Sequence, residues 1–286
     1  LLTVRAVTTP HVPEQAVLAA LRDAFADLSR GTSSAPGQFA VGLPGGGDVI
    51  HYPAVRPGAG IYAVKVSPYP PRPSGGALVT AWTMLVSLST GQPLALLDAS
   101  GLTAERTAAT TVLAADLLLP SDDARTAAIV GYGRPGRAHA RYLRLVRPGM
   151  AGRAFSRSRP QSVDDGVQAV AGVREAVAGA DLVMLCTSVA GDVPDPLIWP
   201  RARSSPRSRP TPPTTAAELV QAAASGWDAA AVRGDLAGLV AGHAPRPGGQ
   251  RQVYFRSVGP GTEDAAVARA AYEYDTDTTD TTEEQP

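Results

Sequence analysis

Residues 126–143 constrain the fold more than any other stretch of the chain. The apolar run Thr126-Ala127-Ala128-Ile129-Val130 leads straight into Gly131-Tyr132-Gly133-Arg134-Pro135-Gly136 and then into a helical pattern from Arg137 to Leu143. A strand, a G-x-G-x-x-G turn and a helix in that order make the dinucleotide fingerprint in its required setting. Gly131 permits the tight turn, Gly133 lets a pyrophosphate approach the backbone, and Gly136 lets the helix pack close to the strand with its N-terminal amides aimed at the phosphates. With Arg134 and Pro135 inside the loop, Gly131, Gly133, Arg134, Pro135 and Gly136 are the candidate cofactor contacts. Glycine makes up 29 of 286 residues, so the triplet alone is weakly specific. The flanking strand and helix carry the reading, against a close-packed glycine turn that binds nothing.

About 120 residues precede this motif, too many and too patterned for a leader, so a second domain is expected upstream. A hydrophobic content of 44% and a formal net charge of zero describe an ordinary globular protein with no electrostatic bias toward nucleic acid or membrane. The single Cys186 excludes an intrachain disulfide and points to a reducing cytoplasm. Residues 77–97 form the longest apolar stretch, but Ser89-Thr90-Gly91-Gln92-Pro93 interrupts it, which fits a hairpin better than a membrane span. No signal peptide is expected, and the chain opens Leu-Leu rather than Met, which leaves its native start open.

In the first domain, Val17, Leu18, Leu21, Phe25 and Leu28 recur at helical spacing over residues 13–28 and stop at Gly31. Strands are expected over 48–53, 61–66, 77–88 and 93–98, and Thr103 is expected to cap a helix over 104–118 with Glu105 in its first turn. The nucleotide domain alternates strand and helix: strand 126–130, helix 137–146, strand 151–156, helices near 164–170 and 173–178, then strand 181–187. Its second strand ends in Ser156-Arg157-Ser158-Arg159. A ribose 2′-hydroxyl usually meets a carboxylate there, whereas a 2′-phosphate wants hydroxyls and a guanidinium. Ser156, Arg157 and Arg159 therefore favour NADP, with NAD possible; a solvated basic loop is the bland alternative.

Lys65 is the only lysine among 26 basic residues. An ammonium can lose its proton when desolvated, while a guanidinium stays charged and cannot act as a base. Lys65 sits in the apolar strand Tyr62-Ala63-Val64-Lys65-Val66, which would partly bury it. Arg106, at the expected start of the Thr103-capped helix, offers a planar fork beside free amides and suits a carboxylate. An ammonium for the reacting centre and a fork for an acid group together imply an amino or imino acid. The competing readings are a rim lysine and a helix-surface arginine paired with Asp98 or Glu105.

Four blocks in order resemble the ornithine cyclodeaminase/mu-crystallin family: the run from Leu94 through Arg106-Thr107-Ala108-Ala109, the glycine turn, Ala180 to Ser188, and Val253 to Arg269. The resemblance covers most of residues 1–275. It implies NAD or NADP in a central Rossmann domain, and a substrate and dimerisation domain built from the N-terminal part and a returning C-terminal strand near 253–259. It further implies that Lys65 is the active-site lysine, that Arg106 binds the substrate carboxylate, and that Thr187 and Ser188 lie beside the nicotinamide. Two departures stand out. Family cyclodeaminases carry a second carboxylate-binding arginine upstream of the lysine, where this chain has Gln38. They also carry a glycine-aspartate turn where this chain runs from Trp199 through an Arg/Pro/Ser-rich segment to Pro213 with no acidic residue, unable to form a central strand. That segment reads as a disordered insert or as a compensated frameshift.

The histidines at 11, 51, 139 and 243 have no ligand spacing and no metal site is expected; His139 reads as a packing residue and Cys186 as a core residue. The fold class expected is α/β: a Rossmann-type dinucleotide-binding domain over 121–249, a discontinuous α+β substrate and dimerisation domain from 1–120 with 250–275, and a disordered acidic tail over 276–286. The function expected is an NADP-preferring oxidoreductase acting on a small amino or imino acid. A cyclodeaminase that recycles hydride through bound NAD, and a mu-crystallin-like binder of small ligands, are the alternatives. A cytoplasmic homodimer is expected, with neither nucleic acid nor membrane as partner.

Overall fold

The computed structural model describes residues 4–8, 10–70, 80–119, 124–158, 163, 166–186, 226, 232–245, 253, 255–257 and 259–283. In chain order the elements are β1 (Arg5–Val7), α1 (Glu14–Arg30), β2 (Phe39–Gly42), β3 (Asp48–Arg56), β4 (Ile61–Tyr69), β5 (Trp82–Ser87), β6 (Pro93–Asp98) and α2 (Ala99–Leu118). There follow β7 (Thr126–Val130), α3 (Arg134–Val146), β8 (Ala151–Phe155), β9 (Val167–Ala169), α4 (Val173–Val177), β10 (Leu182–Leu185), α5 (Leu236–Val240) and α6 (Gly261–Glu283). The chain divides into two compact units, Leu1–Arg106 with Val258–Pro286, and Thr107–Ser257.

The first unit is a six-stranded sheet in the order β1-β6-β5-β4-β3-β2, antiparallel except for β1 beside β6. Period-2 alternation gives its faces different characters. Along β4, Ile61, Ala63, Lys65 and Ser67 are buried while Tyr62, Val64 and Val66 are half-buried. Helix α6 lies across β3, β4 and β5 and also packs on α1. Val17, Leu21 and Phe25 of α1 and Ala265, Val267 and Ala268 of α6 are buried with Ile61, Ala63, Leu85 and Leu97 of the sheet. The sequence spacing in α1 is thus met, and Gly31 ends that helix in the left-handed conformation at φ 70°. The apolar stretch ending at residue 97 is the expected hairpin, β5 paired antiparallel with β6.

The second unit holds a four-stranded parallel sheet, β10-β7-β8-β9. Ala127, Ala128, Ile129 and Val130 are all buried, as a central parallel strand requires. Strand order reverses at β7, so the carboxyl end of β7, where Gly131 begins, is a topological switch point of a Rossmann-type sheet.

Four local expectations are corrected. Thr103 does not cap α2: the helix begins at Ala99, the Asp98 carboxylate accepts from the Ser100 amide, and the Thr103 hydroxyl donates back to the Ala99 carbonyl. An acid five residues earlier takes the capping role because it ends β6 directly. Residues 167–169, read as helix, are strand β9, since pairing with Gly152 to Ala154 overrides local propensity. Residues past 275, read as a disordered tail, continue α6 to Glu283. Extending a formed helix costs far less than nucleating one, and Arg5 pairs with Asp275 at 2.8 Å while the Thr276 hydroxyl donates to the Tyr272 carbonyl. The described residues of 253–259 form no strand, and only Arg256 makes a single bridge.

Gly261, the first residue of α6, lies so close to β3 that an added Cβ would collide with the Pro53 carbonyl. Gly261→Ala should therefore destabilise the protein by about 1–3 kcal/mol, as overpacking does, although alanine is the better helix former. A chemical denaturation midpoint that rises in this variant would contradict that packing.

Candidate active site

Register places a row of residues on the covered face of the first unit's sheet: Tyr52 on β3 opposite Lys65 on β4, and Lys65 opposite Thr83 on β5. Lys65 is 2% exposed. Its Nζ donates to Asp264 Oδ1 at 2.8 Å and stands 4.2 Å from the centroid of the Tyr52 ring. Arg106 reaches the same carboxylate, with Nε 3.1 Å from Asp264 Oδ1, and its Nη1 donates to Glu263 Oε2 at 2.9 Å. All four charged side chains are buried. Gly259 makes room for the guanidinium: at φ 63° it needs glycine's freedom, and a Cβ there would overlap Arg106.

Burial pushes the Lys65 amine below its ordinary range, with Asp264 opposing and Arg106 reinforcing the change. Burial also works against the charge on Arg106, but Asp264 and Glu263 outweigh it and hold the guanidinium above its ordinary value. Burial, helped by Tyr69, raises the Tyr52 phenol to about 12. Two buried polar atoms, Oδ2 of Asp264 and Oγ1 of Thr83, the residue paired with Lys65 on β5, have no hydrogen-bond partner among the described residues. Such a cluster can hold an ammonium in one place, exchange a proton with a bound group, and receive a polar ligand.

Lys65 and Arg106, the two candidates expected from sequence, lie in one cluster. Their setting differs in one respect: Arg106 lies about two turns into α2, so no free helix-end amides accompany its fork, and internal carboxylates already engage it. Glu263, Asp264 and Tyr52 were missed. The signal for the acidic pair was two adjacent carboxylates at the head of the wholly apolar run Ala265-Ala266-Val267-Ala268, a place that dipole stabilisation alone accounts for equally well.

In the second unit the glycine turn fits a dinucleotide. Gly131 has φ 96°. A Cβ on Gly136 would collide with the Gly131 carbonyl, so α3 does pack close to the strand end. A Cβ on Gly133 would meet only Pro135 Cδ at 4.0 Å, leaving open space where a phosphate approaches. No side chain caps α3 at Gly133, and its first turn holds Arg134 and Pro135 and no acid. Ser156 and Arg157 directly follow β8. Arg159, Thr187, Ser188 and the segment 199–216 lie outside the described residues. His139 is buried, with Nδ1 2.8 Å from the Pro135 carbonyl, and burial lowers its pKa, consistent with packing. Cys186, expected in the core, is half-buried, and its desolvation raises the thiol to about 12. Among the described residues there is no cluster of metal-ligating side chains and no helix long and apolar enough to cross a membrane.

These features define a class: two-unit α/β proteins in which a Rossmann-type unit is joined to an α+β unit with a buried acid-base cluster. The family model of the ornithine cyclodeaminase/mu-crystallin family matches residues 1–194, and the chain belongs to that family. The NAD(P)H-dependent anabolic L-arginine dehydrogenase DauB of Pseudomonas aeruginosa is 40% identical over 289 residues, covering 90% of this chain and 91% of the relative. The probable ornithine cyclodeaminase from Bordetella pertussis Tohama I superposes with a TM-score of 0.77 at 28% identity, covering 94% of this chain and 96% of that one. The fold is shared with the Thermococcus litoralis pyrroline-2-carboxylate reductase in complex with NADH and L-proline, at TM-score 0.80 and 21% identity over 96% of this chain and 98% of that one.

Because the quartet is buried, removing one member leaves an uncompensated charge. Glu263→Ala should cost about 3–5 kcal/mol, whereas Arg5→Ala, which breaks a pair with side chains 34% and 39% exposed, should cost under about 1 kcal/mol. Urea denaturation of both variants checks the contrast, and equal losses would contradict it.

Proposed function

We propose that this chain is an oxidoreductase that uses NADP, and NAD less well, to interconvert a small amino acid and its imino acid. The observation that carries this reading is the buried quartet of Lys65, Arg106, Glu263 and Asp264. Burying charges costs several kcal/mol per ion, and buried ionisable groups with displaced pKa values concentrate at functional sites. With all four groups charged, the quartet sums to zero. A zwitterionic amino acid can join it without leaving an unbalanced charge.

In this proposal the first unit binds the substrate. Lys65, a compact ammonium with three N–H hydrogen-bond donors, polarises or protonates the nitrogen-bearing centre. Arg106 presents its fork to the substrate carboxylate, sharing it with Glu263. The second unit holds the dinucleotide at Gly131, Gly133, Arg134, Pro135 and Gly136, with Thr187 and Ser188 assigned to the nicotinamide side. When bound, that cofactor supplies or accepts the hydride. Ser156, Arg157 and Arg159, with no carboxylate among them, suit a 2′-phosphate. A single cysteine fits action in the cytoplasm. The kinship with an L-arginine dehydrogenase makes L-arginine and its 2-imino acid the first substrates to offer.

The test is oxidation of NADPH and NADH in the presence of 2-imino acids, and the reverse reaction with amino acids. NADPH should bind about tenfold to a hundredfold more tightly than NADH, and Arg157→Asp should erode the difference. Lys65→Arg should lower turnover by about 10² to 10⁴ with cofactor affinity nearly unchanged. Ammonia release without net change in NADPH would replace this reading with a cyclodeaminase, and cofactor binding without turnover would replace it with a ligand binder.

The proposal includes a homodimer, supported by the second face of the first unit's sheet. Cross-strand register sets Phe39, His51, Val66 and Trp82 in one row and Pro53, Val64, Met84 and Leu96 in the next. Phe39, Trp82, Met84 and Leu96 are exposed. A contiguous apolar face of this kind marks an interaction surface, and a second copy offers a self-complementary match across a two-fold axis. Light scattering should give twice the 29.4 kDa chain mass, and Met84→Asp should shift it to monomer. A wild-type monomer at micromolar concentration would refute the assignment.

A further inference from the structure

We propose that Asp264 is a positioning residue for the reaction assigned above, fixing the Lys65 amine in place and setting the protonation state it presents to substrate. The inference rests on that functional reading for the reaction and on geometry for the contact. Asp264 touches both cations: its Oδ1 lies 2.8 Å from Lys65 Nζ and 3.1 Å from Arg106 Nε. Glu263, its neighbour, bonds Arg106. Removing the Asp264 charge therefore leaves Arg106 a carboxylate partner and takes the bonded one from Lys65.

Backbone structure holds the arrangement on three sides. Lys65 projects from the middle of β4 between paired strands β3 and β5, so the stem of its side chain starts from a fixed point. Asp264 sits in the first turn of α6, whose start is seated against β3 at Gly261. Tyr52 closes over the ammonium from β3. The titratable and charged groups that act on the Lys65 amine are Asp264 and Glu263 from α6 and Arg106 from α2, together with the Tyr52 phenol from β3. The two carboxylates favour the charged amine, while burial and Arg106 oppose it. Asp264 is the larger of the two favourable influences and also accepts the hydrogen bond.

The sign of the expected effect follows. Replacing Asp264 by an isosteric neutral amide keeps an acceptor near Nζ but removes the charge that favours the ammonium. The midpoint of Lys65 must then fall. Whether Lys65 acts as the proton donor or as the acceptor, the limb of the pH-rate profile that reports it moves to lower pH.

Because Lys65 is the only lysine in the chain, labelled lysine incorporated into the full-length protein gives a single side-chain NMR signal, whose shift against pH reads this amine alone. In D264N the midpoint should drop by about 1–3 pH units. E263Q should lower it by less, and D264E, which restores the charge, should bring it back toward the wild-type value. In parallel, the kcat profile of D264N for NADPH oxidation with a 2-imino acid should move in the same direction as the NMR midpoint, and KM should change less than kcat. An NMR midpoint unchanged in D264N, or equally lowered in D264E and D264N, overturns the inference. So does a kcat profile that stays in place while the midpoint moves. If D264N fails to fold, the E263Q and D264E titrations decide: a larger fall in E263Q than in D264E overturns it. A wild-type protein inert toward amino and imino acids refutes the functional reading instead, and the NMR titrations still report on the contact.

Discussion

The Asp264 carboxylate, shared between an ammonium and a guanidinium, is the contact on which the first unit depends. It joins three stretches of chain far apart in sequence: β4, α2 and the start of α6. Hydrophobic burial alone would let α6 slide on the sheet, since Ala265, Ala266, Val267 and Ala268 are small and nearly interchangeable in shape. Two carboxylates that must meet two cations permit far fewer positions. Breaking one pair leaves its partner buried and unpaired, which is costlier than losing a methylene contact. The quartet thus fixes α6, and the close approach of Gly261 to Pro53 and of Gly259 to Arg106 follows from where the carboxylates must stand.

What the sequence disclosed divides along a physical line. The glycine turn was legible because each glycine has a local steric reason to be there: a positive φ at Gly131, open space at Gly133 and a collision relieved at Gly136. Lys65 stood out because every other basic residue is arginine, so one ammonium was visible against a background of guanidinium groups. Glu263 and Asp264 were not legible. Their role arises from contacts 157 and 199 residues away in sequence, which no local pattern encodes. The cap of α2 falls at Asp98 and not at Thr103 because both residue types can cap a helix, they stand only five residues apart, and only the end of β6 decides between them. Strand β9 is not legible as a strand because a three-residue edge strand has too little length to show a period, and only its pairing with β8 defines it.

The chemistry also reflects a choice between the two kinds of cation. Arg106 holds its charge under all conditions of interest, raised further by its two carboxylates. Lys65 is the one whose charge burial can influence. Placing both against the one Asp264 carboxylate gives a permanent positive centre beside an adjustable one. An amino acid carries a permanent negative group beside a titratable nitrogen, so the two halves of the cluster match the two halves of the ligand proposed for it.

Strand register ties this site to the opposite face of the same sheet. Side chains alternate between faces with a period of two, so one registration of β3, β4 and β5 sets Tyr52, Lys65 and Thr83 under α6 and at the same time sets Pro53, Val64 and Met84 outward. A slip of one residue would exchange the faces, exposing the charge row and burying valines against the carboxylates of α6. The β3 to β4 connection resists that slip: Gly60 at φ 66° closes a short turn through Pro57 to Ala59, and its amide donates to the Pro57 carbonyl. Neither face can drift without the other. The outward apolar rows and the buried charge row are two consequences of one tight turn and the pleat that follows it.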